Sequence, residues 1–92
     1  MRVVLRVGFV STANNAYWGS AYREIQADFA PSLDIAFELP PFIDAKAPKT
    51  ISFVVEDNCF SVYLGDEKHK TKDDCQARAE EFRSFGWNVS GQ

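Results

Sequence analysis

Two stretches of the chain gather side chains capable of chemistry. The first is Ser11-Thr12-Ala13-Asn14-Asn15-Ala16-Tyr17-Trp18-Gly19-Ser20, where small hydroxyl and amide groups run into two aromatic rings. Between a strand and a helix, such a loop can hold an anion on free backbone N–H groups. It lacks the glycine spacing of a dinucleotide or phosphate loop, so Asn14, Asn15 or Ser20 reads first as a helix cap. Tyr17 and Trp18 beside Asn14 and Asn15 also have the composition of a protein contact patch, because Tyr and Trp are enriched at binding hot spots.

The second stretch is Lys68-His69-Lys70-Thr71-Lys72, the only basic cluster, which follows Tyr63. Lysines with an aromatic ring are the elements of a nucleic-acid contact: the lysines for phosphate and Tyr63 for a stacked base. Asp66, Glu67, Asp73 and Asp74 flank the lysines and cancel much of their field. A sheet face presenting Tyr63 alone would offer one ring, where base-stacking surfaces present several.

Catalytic arrangements are not expected. His69 is the single histidine and has no partner acid or nucleophile in a recognisable pattern. The carboxylates at 73/74 and 80/81 are adjacent pairs, and neighbouring helical positions do not face each other. Asp74 with Arg78, and Glu80 with Arg83, have the spacing of ordinary helical ion pairs. Cys59 and Cys75 form no CxxC and cannot complete a metal set with one histidine, so neither metal nor cofactor is expected.

The totals agree. A 92-residue chain is one domain with a small core, here taken as 1–89 with 90–92 frayed. A formal charge of −3 supplies no large positive field toward nucleic acid or anionic membrane. No stretch approaches the ~20 apolar residues of a membrane span. Arg6 interrupts the apolar N-terminus and no cleavage pattern follows, so a cytoplasmic, reducing compartment is the default.

The elements that would position these residues follow from periodicity. Val3, Leu5, Val7 and Phe9 alternate with less apolar residues, which predicts a strand. Trp18, Tyr22, Ile25 and Phe29 fall on one helical stripe that Pro31 ends, which predicts a helix. Leu33-Asp34-Ile35-Ala36-Phe37-Glu38-Leu39 alternates and reads as a second strand, with Asp34 and Glu38 on its outer face. Residues 51–64 read as a hairpin about Asp57-Asn58, with Glu56 facing Cys59 and Ile51 facing Leu64. A turn is expected at Gly65-Asp66-Glu67, followed by a short edge strand at 68–70.

Thr71 as N-cap with Asp74 three residues on opens another helix, and Cys75, Ala79, Phe82 and Phe85 form its apolar stripe. Gly86 with Trp87 closes it in a Schellman ending. The reading is thus an α+β domain: an antiparallel-rich sheet with two helices on one face, in the order β-α-β-β-β-α, a variant of the split-βαβ, ferredoxin-like arrangement. Cys59 should point to the open face and Cys75 into the core, leaving two free thiols.

Thr71-Lys72-Asp73-Asp74-Cys75-Gln76-Ala77 is similar to the "TKxEA"-like helix start in the arm-binding domain of phage-type integrases. The likeness covers about a third of the chain, the short sheet and the helix start it leads into, and no function is carried across on it. By elimination, the expectation is a small non-enzymatic protein-binding module. Its size, acidity and aromatic content resemble phage or mobile-element accessory proteins that inhibit host defence proteins stoichiometrically, anti-CRISPR proteins among them. Contact residues would be Asn14, Asn15, Tyr17 and Trp18, with the carboxylates of Asp34 and Glu38 standing in for phosphates. The alternative is nucleic-acid binding through Tyr63, Lys68, His69, Lys70 and Lys72.

Overall fold

Two-residue alternation dominates the chain more fully than its sequence suggests. The computed structural model of the protein describes residues 1–91. The elements are β1 (Arg2–Ser11), β2 (Ala16–Gln26), β3 (Thr50–Val54), β4 (Cys59–His69), α1 (Lys72–Ser84) and β5 (Asn88–Gly91). The strands form one mixed sheet in the order β3-β4-β1-β2-β5. β1 is antiparallel to β2 and parallel to β4. The expected β-α-β-β-β-α, ferredoxin-like order with two helices is therefore incorrect: among the described residues there is one helix, and it comes late.

The first error lies at 18–29, which is mostly strand. Residues 12–15 form a tight turn in which Asn15 takes a φ of 51°, a conformation asparagine tolerates. Pairing then runs Ser11↔Ala16 and Val10↔Tyr17, but slips to Phe9↔Gly19. Trp18 is the extra residue of a β-bulge. The slip changes which parity faces the core. Trp18 before it, and Ala21 and Ile25 after it, all reach the core side, at a spacing that imitates a helical stripe. Tyr22 points to the opposite face, and Phe29 lies past the strand, 51% exposed.

The second error lies at 33–39, which makes only a single bridge, Phe37↔Lys46. Alternation shows which side chains can share a face; it does not supply a free edge for the backbone. Phe37, Leu39 and Phe42 instead pack singly against the core. The Trp87 indole donates to the Pro40 carbonyl at 2.9 Å and fastens this segment.

The β3–β4 hairpin forms with its register moved by two residues. Val54 faces Cys59, Phe53 faces Phe60 and Ile51 faces Val62. Four residues, 55–58, make the turn, with the Asn58 N–H donating to the Val55 carbonyl and Asn58 at a φ of 50°. A two-residue shift preserves parity, so the side chains that remain paired keep their expected faces, while Val55 and Glu56 move into the turn. β4 then continues through Gly65, where a φ of 105° and a register shift against β1 accommodate an extra residue in place of the expected turn. Lys68 and His69 therefore end β4 beside β1; they are not a separate edge strand.

α1 starts and stops as its caps dictate. The Asp74 N–H donates to Thr71 Oγ at 3.1 Å. The Trp87 N–H donates to the Phe82 carbonyl and the Gly86 N–H to that of Arg83, the two bonds of a Schellman ending. Cys75, Ala79 and Phe82 are buried, while Phe85 is 45% exposed. They lie over Val3, Leu5, Val7 and Phe9, all at most 2% exposed. Phe82 touches Phe9, Phe42 and Trp87 edge-on, with ring centroids 5.0–5.3 Å apart. Gly19 sits where the β5 backbone at Ser90 and Gly91 leaves no room for a Cβ. That glycine allows β5 to dock, and β5 runs through Gly91, past the point where fraying is expected. Gln92 lies outside the described residues.

Two truncations separate the core from the apparent stripe. Phe82→Ala should cost about 3–5 kcal/mol in chemical denaturation. Phe29→Ala, the last member of the apparent helix, should cost no more than about 0.5 kcal/mol.

Candidate binding surface on the open sheet face

α1 and the apolar side chains of 27–49 pack on the side of the odd-numbered β1 residues, leaving the even-numbered side uncovered. Register places side chains in rows across this open face. Arg6 of β1 lies between Tyr63 of β4 and Tyr22 of β2. The next row is Asp66, Gly8 and Ser20, and the next is Lys68, Val10 and Tyr17. All three tyrosines of the chain are thus on one face.

Gly8 makes the centre of this face low. Arg6, Gly8, Tyr17, Ser20, Tyr63 and Asp66 line a depression of about 400 Å³. A side chain at position 8 would run into the Asp66 carboxylate. That carboxylate is held by the Tyr63 hydroxyl, which donates to Oδ1. Burial first, and then this hydrogen bond, push the Tyr63 pKa up to about 12. The Arg6 guanidinium lies 5.8 Å from the Tyr22 ring centroid, and its Nε donates to Ser61 Oγ at 3.3 Å. Among the described residues, neither Arg6 nor Lys68 has a salt-bridge partner, whereas Arg2 pairs with Glu24 at 2.8 Å.

The residues singled out from sequence divide between the two faces. Tyr17 is 63% exposed at the rim of the depression. It also lines a second groove with Trp18, Lys72, Asp73 and Gln76. Trp18 itself belongs largely to the core, edge-on to Phe9. Asn14 accepts from the Ser11 hydroxyl and Asn15 supplies the turn, so both have local roles and neither caps a helix. Asp34 and Glu38 are exposed on an irregular segment packed to the helix side, not on the outer face of a strand. Tyr63 and Lys68 are on the open face. Lys70 and Lys72 lie at the junction into α1, where the Thr12 and Ala13 N–H groups donate to the His69 and Lys70 carbonyls. The fold therefore joins the two stretches that stood apart in sequence.

His69 points to the core side and meets a partner acid that spacing did not suggest. Its Nε2 lies 3.0 Å from Glu67 Oε1. Arg78 grips both oxygens of the same carboxylate, at 2.8 and 3.0 Å. Arg78 also reaches Glu81, so the expected Asp74–Arg78 pair does not form, whereas Glu80–Arg83 does. Burial raises the Glu67 pKa, but the hydrogen bonds from Arg78 and His69 together outweigh it and hold the carboxyl below its ordinary value. This cluster clamps β4 to α1. Cys59 and Cys75 are both buried and unpaired, one on each side of the sheet, and burial pushes the Cys75 thiol up. Among the described residues, no group of three or more His, Cys, Asp or Glu side chains could hold a metal, and no helix is long and apolar enough to cross a membrane.

Reading 16–26 as a strand would have revealed the tyrosine face, since Tyr22, Glu24 and Gln26 then alternate with Ala21 and Ile25. The missed signal was Asn14-Asn15 as a hairpin turn. No protein-family model, curated protein or solved structure matches this chain. The fold and its uncovered face define a small mixed-sheet α+β domain.

Two titrations follow. Because the folded state holds Glu67 below 4.5, its stabilising contribution is complete above that pH and is lost as pH falls through the lowered value. Glu67→Gln should cost about 1–3 kcal/mol near neutrality and flatten the acid limb of denaturant stability measured down to about pH 3. In an ultraviolet titration Tyr63 should ionise near 12, and Asp66→Asn should lower that midpoint.

Proposed function

We propose that this protein is a non-enzymatic binding module that engages a protein partner through the open face of its sheet. The observation carrying this reading is the clustering of Tyr17, Tyr22 and Tyr63 on an uncovered face around the depression at Gly8. Tyr and Arg dominate hot spots, and a low centre ringed by aromatic side chains accepts a protruding partner group. Charges of both signs stand on the face, Arg2, Arg6 and Lys68 against Glu24 and Asp66, a pattern suited to complementarity with a protein surface. Asp34 and Glu38 fall away from it. A role as a stoichiometric inhibitor of a host defence protein rests on size and composition alone. The two free thiols are compatible with the cytoplasmic placement proposed for it.

One observation favours a second reading. Arg6, without a carboxylate partner, lies in register between two tyrosine rings, and Lys68 lies one row beyond Gly8. Stacking rings with interleaved cations are what single-stranded nucleic acid requires. The structure supplies the additional rings that Tyr63 alone did not.

Capture from a source-cell lysate distinguishes these readings. Tyr17→Ala combined with Arg6→Ala, checked for folding by circular dichroism, should weaken retention of a protein partner by about 30-fold or more. Equal retention by wild type and variant would remove the open face from consideration. Retention of an oligonucleotide that falls steeply with salt would establish the second reading instead.

A further inference from the structure

The sheet ends on one side in an edge that nothing blunts. β3 pairs with β4 along its inner edge, and among the described residues no backbone group pairs with its outer edge. Thr50-Ile51-Ser52-Phe53-Val54-Val55 contains no charge and no proline, the usual protections of an edge strand. α1 makes no contact with β3. Phe53 stacks edge-on against Phe60 yet remains 48% exposed, and Val55 is 79% exposed. An apolar strip on the helix side of the sheet thus runs to this edge and stops uncovered.

We propose that this edge is a homodimer interface, with β3 of a second copy paired antiparallel to it about a two-fold axis at Ser52. The segment is self-complementary in that register. Ile51 falls opposite Phe53 of the second copy, an aromatic–β-branched pair that continues the apolar strip across the seam. Thr50 falls opposite Val54 and Ser52 opposite itself. The flanking charges select the direction. Lys49 precedes the strand and the acidic turn Glu56-Asp57 follows it, so antiparallel pairing brings the basic end of each strand to the acidic end of the other, although Lys49 and Glu56 are on opposite faces of the pleat. Parallel pairing would set like charges together at both ends. Two five-stranded sheets then become one continuous sheet, the contact is isologous and closed, and the edge is consumed without leading to a fibre. The two open faces come to lie on the same side of the joined sheet.

Sedimentation velocity on the full chain, followed to the solubility limit, tests this. A reversible monomer–dimer equilibrium is expected. Val55→Lys leaves the fold intact, because the side chain it replaces is exposed. It sets a lysine near Lys49 of the second copy at the end of the paired segment, and should weaken dimerisation about tenfold. Lys49→Glu should weaken it by a smaller factor, about twofold to threefold, and adding Glu56→Lys should restore the loss. Tyr17→Ala should leave the dimer unchanged. A wild-type chain that stays monomeric overturns the proposal, as would happen if the edge instead serves a strand of another protein. So does a dimer indifferent to Val55→Lys, or one that the charge exchange fails to restore.

Discussion

β1 is hydrogen-bonded along both edges, and the rest of the structure depends on that. A central strand with a neighbour on each side has no freedom to slip, so its alternation is imposed on the whole sheet. Val3, Leu5, Val7 and Phe9 go under α1, and Arg2, Arg6 and Gly8 go to the open side. Phe9 then organises the aromatic contacts, touching Trp18, Phe82 and His69. The candidate binding surface is the reverse of the same arrangement. Tyr63 and Tyr22 flank Arg6 because pairing on both sides of β1 is in register there.

The departures from regularity are few, and each has a positional consequence. The bulge at Trp18 turns that ring inward while Tyr17 stays outward. The bulge at Gly65 advances β4 by one residue, so that Asp66 comes beside Gly8 and Glu67 comes under Arg78. Without it the carboxylates would exchange faces, and both the depression and the Glu67–Arg78 clamp would be lost. Bulges that redirect side chains are common beside functional surfaces.

A single helix is enough because the 27–49 segment completes its layer. Phe42 contacts Phe82 and Trp87, and Trp87 is fastened to the Pro40 carbonyl. An irregular segment can seal part of a core when its rings fill space and its few buried polar groups find partners. What it leaves uncovered is β3, the strand farthest from α1.

Much of the fold's local grammar was legible in the chain. The β1 alternation, the Thr71–Asp74 cap, the Schellman ending at Gly86-Trp87 and the two faces of the β3–β4 hairpin are set by neighbouring residues, whose physics is short-ranged. The second strand was not legible, because one inserted residue at Trp18 made a two-residue period look like a helical one. Nor was the fate of 33–39, since alternation cannot reveal whether a strand edge remains free. Of the candidate binding surface, Tyr17, Tyr63 and Lys68 were visible as residues. Their meeting with Arg6 and Tyr22 around Gly8 was decided by strand order and register, which join positions more than 40 residues apart. Sequence by itself determined which side chains alternate and where the helix begins and ends. Only the tertiary structure decided which strands are neighbours, because that depends on which edges remain free once β1 has been paired on both sides.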